Sequence, residues 1–149
     1  MNKFRLFTFI TILALILSAC GAPTEFEQNR SKWDEQGARH YRFDLRVGCF
    51  CPYMGEMPVT ITVLGGEMAS VVGSDGRPAS DELLLFVENF NTIDKIFDTL
   101  DKALNGGADQ VDVEYDSTYG FPTKISIDYI KMAVDDEMGF EITNFEELR

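Results

Sequence analysis

HYRFDLRVGCF, residues 40–50, alternates with a period of two: Tyr41, Phe43, Leu45, Val47 and Cys49 fall on one side, and His40, Arg42, Asp44 and Arg46 on the other. Successive side chains of a strand point to opposite faces, so the pattern predicts a strand with one dry face and one wet face. Half-buried strands belong to antiparallel sheets covered on a single side, and that requirement organises the rest of the chain.

Downstream, Val59, Ile61 and Val63 alternate with Thr60 and Thr62, Gly65-Gly66 supplies a two-residue turn, and Met68 to Val72 returns, which predicts a hairpin. Ser74-Asp75-Gly76-Arg77-Pro78 reads as the loop that closes it. Upstream, Phe26, Arg30, Trp33 and Gly37 recur at i, i+4, i+7 and i+11, the stripe of a helix stopped at Gly37. Leu83 to Val87 is a continuous apolar run that reads equally as a short helix or a buried extended piece. From Thr92 to Leu104 the period is helical, with Ile93, Ile96, Phe97, Leu100 and Leu104 on one face, a cap at Asn91 or Thr92, and a stop at Asn105-Gly106-Gly107.

Three further strands follow, around Val111-Val113-Tyr115, Ile125-Ile127-Tyr129 and Phe140-Ile142, joined by short links. The expected fold is therefore α+β: an antiparallel sheet of about six strands with two helices, in the order α-β-β-β-α-β-β-β. Residues 26–149 form a single domain in this reading, and its two α-β-β-β halves hint at an internal duplication.

The N-terminus, MNKFRLFTFITILALILSAC, places Lys3 and Arg5 before an apolar run from Leu6 to Leu17, too short for a membrane span but of signal-peptide length. Leu17-Ser18-Ala19-Cys20-Gly21 resembles the lipobox of bacterial lipoprotein signal peptides. That resemblance implies a signal peptide over residues 1–19, lipidation at Cys20 and a lipidated tether over residues 20–25. More than one acyl chain gives stable anchoring to a bacterial membrane. With glycine and not aspartate after the cysteine, the resemblance implies the outer membrane if the cell has one.

Cleavage before Cys20 leaves one domain's length of chain and, by removing two cations and no acid, takes the formal charge from −12 to −14. So acidic a domain excludes nucleic acid as a partner and does not lie electrostatically on an anionic bilayer. Solubility alone accounts for acidity of this kind.

Longer stretches are also familiar. Trp33, the segment from Tyr41 to Pro52, VTITVLGGEMASV, TIDKIFDTLDKAL and VEYDSTYGFPTKISIDYIKMAVDDEMGFEITNF together resemble a bacterial lipoprotein family known only as domain of unknown function 6174. The likeness covers roughly residues 33 to 145. Its more specific elements are Cys49-Phe50-Cys51-Pro52, Tyr115-Asp116 with Tyr119-Gly120-Phe121-Pro122, and Ile127-Asp128 with Asp135-Asp136-Glu137. The resemblance implies fold and location and supplies no activity.

Four groups of residues invite a chemical reading. In an oxidising compartment Cys49 and Cys51 are expected to pair as a disulfide. Cα atoms two apart in an extended strand stand about 6.6 to 6.8 Å apart, at the limit for a disulfide, so pairing requires the chain to turn at Phe50. The alternative reading of the same pair is thiol-disulfide or soft-metal (copper) handling, the latter with Met54 and Met57 as further donors. His40, the only histidine, lies on the polar face.

Asp112, Glu114, Asp116, Asp128 and Asp135-Asp136-Glu137 supply oxygen donors without the spacing of a calcium loop, so a solvated strand face is the simpler account and no metal or cofactor is expected. Tyr119 and Phe121, in a turn fixed by Gly120 and Pro122, are candidates for a recognition patch. No nucleophile-base or zinc-binding motif is present, so the expected role is non-enzymatic: binding or scaffolding another envelope protein.

Overall fold

A computed structural model describes residues 22–133 and 136–148. Helix α1 (Glu25–Gln36) starts in a reciprocal cap: Thr24 Oγ1 accepts the Glu27 N–H at 3.2 Å, and Glu27 accepts the Thr24 N–H at 2.7 Å. These bonds to Thr24 hold the Glu27 carboxyl below the usual carboxylate range. Strand β1 (Tyr41–Gly48) follows, then a 3-10 turn (Pro52–Glu56) and the hairpin β2 (Val59–Leu64) and β3 (Glu67–Val72). Gly65 and Gly66 both have positive φ, as the predicted two-residue turn requires.

Helices α2 (Asp81–Val87) and α3 (Ile93–Lys102) come next, the second running into a π-helical segment (Ala103–Gly107). Strands β4 (Gln110–Tyr115), β5 (Pro122–Asp128) and β6 (Glu137–Glu147) complete the chain.

All six strands form one antiparallel sheet in the order β3-β2-β1-β6-β5-β4. The strand from which the fold was read lies at its centre, and Tyr41, Phe43, Leu45 and Val47 are each 0% exposed. The antiparallel sheet and the order of its strands along the chain agree with expectation, while the helix count differs in detail: among the described residues there are three α-helices instead of two.

The Leu83–Val87 run resolves as helical because Ser80 caps it, accepting the Leu83 N–H at 3.2 Å, and because only Leu83 and Val87, one turn apart, are buried. The other end of the predicted Thr92–Leu104 helix also differs. Gly106 has a φ of 97°, the chain widens into the π-helical segment, and Leu104 stays 45% exposed on what was read as the buried face.

The helices share one face of the sheet. Phe26 of α1 meets Phe97 of α3 edge-on at 5.9 Å, Arg30 lies 5.0 Å over the same ring, and Arg30 pairs with Asp94 at 3.1 Å. Trp33 packs edge-on against Tyr41, Phe121 and Phe145, so the stripe predicted for α1 is the one it buries. With α1 and α3 on one face, the two halves are not related as duplicated units: β1 and β4 occupy equivalent places in their halves but run in opposite directions.

Candidate docking surface

β1 stops at Gly48, one residue before its alternation predicts, because Cys49 and Cys51 are joined by a disulfide with their Cα atoms 5.3 Å apart. That span is shorter than an extended pair allows, so the chain turns at Phe50. Phe50 is left at the apex, 89% exposed.

The loop beyond it is fixed from inside. Tyr53 packs on Phe86 of α2 at 5.0 Å, Phe86 on Phe90 at 5.4 Å, and Phe90 on Phe140 of β6 at 5.2 Å. The Glu56 carbonyl accepts the Ser74 N–H at 3.0 Å, tying the 3-10 turn to the loop after β3. A large apolar side chain is thus held in water by a small ring and an aromatic ladder, with little freedom to fold back.

Beside Phe50 the outer face of the sheet is bare. Gly48 pairs with Gly139, and Gly139 with Ser126, so three adjacent strands present in one row nothing larger than a hydroxymethyl group. Phe50, Cys49, Ala133, Glu137 and Met138 border this floor, enclosing a shallow depression of about 630 Å³. Ile130 and Met132, on the turn that carries Ala133, are 58% and 92% exposed. Lys131 N–H donates to Asp109 Oδ2 at 3.0 Å and Ala133 N–H to the Ile130 carbonyl at 2.7 Å, which ties this turn to the start of β4.

The residues singled out in the sequence fall in different places. Met54 is exposed on the 3-10 turn, whereas Met57 is a core residue at 6% exposure, so the four proposed soft donors do not converge. His40 accepts the Gly65 N–H through Nδ1 at 3.3 Å and serves the hairpin turn.

Asp112 and Glu114 stand exposed on the outer face of β4. Asp116 is turned onto its own backbone, accepting the N–H groups of Thr118 at 2.8 Å and Tyr119 at 2.6 Å. Asp128 ends β5 and Asp136 precedes β6, while Asp135 lies outside the described residues. Among the described residues no three His, Cys, Asp or Glu side chains come together as metal donors.

At the aromatic turn the expectation fails for Phe121. Phe121 is 3% exposed, and Tyr119 is half-buried 4.8 Å from Phe145, so both close the end of the core with Trp33 and Tyr41. A buried Phe121 offers no surface to a partner. Cys20 lies outside the described residues.

Sequence reasoning treated Phe50 only as the point where the chain must turn. The available signal was its place on the wet parity of β1, between two cysteines and two residues after a glycine.

These features define a class: a small α+β domain whose antiparallel sheet is covered by helices on one face, with an exposed phenylalanine above a floor of glycine and serine at one end. Residues 25–147 match the family described as Family of unknown function (DUF6174), and the chain belongs to that family. No curated protein and no solved structure matches the chain.

Proposed function

We propose that this is a lipid-anchored protein of a bacterial cell envelope, held in the membrane through Cys20, whose domain acts without catalysis by binding another envelope protein through the Phe50 surface. The observation that carries this reading is Phe50 itself, 89% exposed at the apex of the Cys49–Cys51 ring beside a floor of glycine and serine. A ring left this exposed gains almost nothing from folding, and a rigid aromatic over a flat floor is a common anchor for a partner side chain.

A photo-crosslinking amino acid at position 50 of the full-length protein in cells tests it, with position 67 on β3 as control. A discrete adduct from position 50, absent from position 67 and lost on reversion to Phe50, is expected. Equal adducts from both positions, or none from either, overturn the docking reading.

The competing reading makes Cys49 and Cys51 the working groups, and in its favour both are partly exposed beside the 3-10 turn that Cys51 precedes. A thiol count on the exported protein separates the two. A pair that stays oxidised excludes thiol-disulfide exchange; a pair found reduced in the envelope, or stoichiometric copper lost on Cys51→Ser, replaces the docking role with a redox or metal role.

A further inference from the structure

The two lateral edges of the sheet are finished differently. On β3, the chain that follows folds back over the strand: the Ala79 N–H donates to the Val71 carbonyl at 3.0 Å, Val72 bridges Pro78, and the Gly73 N–H donates to the Arg77 carbonyl at 2.8 Å. On β4, by contrast, no described segment pairs with the outer edge. An unpaired edge is a row of backbone donors and acceptors ready for another strand.

The helical layer also stops short of β4. On neighbouring β5, Ile125 and Ile127 are 2% and 0% exposed, whereas Val111, Val113 and Tyr115 on the same face of β4 are only half-buried. They floor a groove of about 480 Å³ running along the strand, walled by Phe26 and by the exposed Leu104. Its polar rim carries Glu25, Glu27 and Asp101, and among the described residues no cationic side chain lines it.

The opposite face of β4 bears Asp112 and Glu114, with Lys124 4.0 Å from Glu114 the cation beside them. Both faces of this edge are therefore apolar or negative. A second copy adding its own β4 antiparallel would set Asp112 and Glu114 against the same carboxylates, which is unfavourable across a strand pair.

We infer that the β4 edge is a strand-addition site for an extended cationic segment of a partner protein, in which apolar residues alternate with Lys or Arg. The backbone of such a segment pairs with β4, its apolar residues enter the groove over Val111 and Val113, and its cations meet Asp112 and Glu114 on the outer face. Period-two side-chain geometry allows one segment to satisfy both faces at once. The inference is independent of the Phe50 surface, which lies on another part of the sheet.

The full-length protein in zwitterionic detergent, mixed with a synthetic ten-residue peptide alternating Lys and Val, provides the test. Saturable binding by fluorescence anisotropy, weakened as salt shortens the screening length, is expected, together with slowed amide exchange in residues 110–115. An acidic peptide alternating Glu and Val, and a Lys-Val peptide with alternate backbone amides methylated, should each bind at least tenfold more weakly, as should the Lys-Val peptide to an Asp112→Lys, Glu114→Lys variant.

The methylated peptide keeps charge and apolar surface but cannot pair with a strand. Equal affinity for it overturns strand addition, equal affinity for the acidic peptide overturns the charge reading, and concentration-dependent self-association that protects residues 110–115 assigns the edge to a second copy. Retention of this binding in Phe50→Ser, or its loss there, tells failure of one surface from failure of the other.

Discussion

The backbone N–H of Ile93 donates to the hydroxyl of Tyr41 at 3.1 Å, both residues being 0% exposed. The bond joins the first residue of the central strand to the first residue of α3, where a helix leaves its N–H groups without intrahelical partners. Thr92 supplies the neighbouring cap, accepting the Lys95 N–H at 3.2 Å through Oγ1. α3 is thus seated by a strand residue as well as by its own cap.

Tyr41→Phe keeps the ring and removes the acceptor, leaving the Ile93 N–H buried and unpaired. We expect a loss of about 1–3 kcal/mol in unfolding free energy by denaturant titration, with an unchanged slope. A change below about 0.5 kcal/mol would show the hydroxyl to be dispensable for seating α3.

Burial, opposed by the Ile93 N–H, holds the Tyr41 hydroxyl well above the ordinary tyrosine value of 10.0, and burial with the charge of Glu25 pushes Tyr115 up to about 12. A raised folded-state value means that unfolded chains lose the proton first. The stabilising contribution is complete below about pH 10 and is lost as pH rises through the folded-state values. Melting temperature should fall above pH 10, and Tyr115→Phe should flatten the part of that fall between pH 10 and 12.

At Gly120, with φ of 84°, an added Cβ would stand 2.6 Å from the Asn29 carbonyl oxygen and 3.0 Å from Lys32 Cβ. The obstruction is helix backbone, which cannot swing aside as a side-chain tip can. Gly120→Ala should cost about 2–4 kcal/mol, combining left-handed backbone strain with overpacking. A melting temperature within 1–2 °C of the parent, roughly what an unstressed surface change gives, would contradict this account.

Replacing Cys49 and Cys51 together with serine opens a very small ring, so the chain-entropy model allows only about 1.5 kcal/mol of stability to be lost. The larger consequence is freedom at Phe50. Crosslinking from position 50 should drop by tenfold or more while the fold persists by circular dichroism; undiminished crosslinking would show that the disulfide does not position the ring.

Cys20→Ala should abolish metabolic labelling with palmitate and shift the protein out of the membrane fraction. Labelling that survives the substitution would remove the lipoprotein assignment and leave the domain's surfaces as they are.

Much of the sheet was legible because alternation is local. The wet and dry sides of β1, β2 and β5 follow from residue type alone, and the stripe Phe26-Arg30-Trp33 names the buried side of α1 in the same way. β6 was legible only as far as Ile142. At Asn144, with φ of 52°, the register against β1 shifts between Arg42 and Asp44, and Phe145 then packs with Trp33 and Tyr41 on the core side. A bulge of this kind is a property of two paired strands, so one strand's sequence does not reveal it.

The candidate surface divides along the same line. From the sequence alone came the strand that leads into Cys49 and the turn at Phe50 that a Cys49–Cys51 pair demands, because these depend on bond lengths and on neighbours in the chain. Tertiary structure alone decided that Gly48, Gly139 and Ser126 form one row beneath Phe50, that Phe121 is buried, and that β4 is an edge left partly uncovered. Each of these depends on which distant strand lies alongside and on how far a layer of helices extends, and both are fixed by packing the whole core at once.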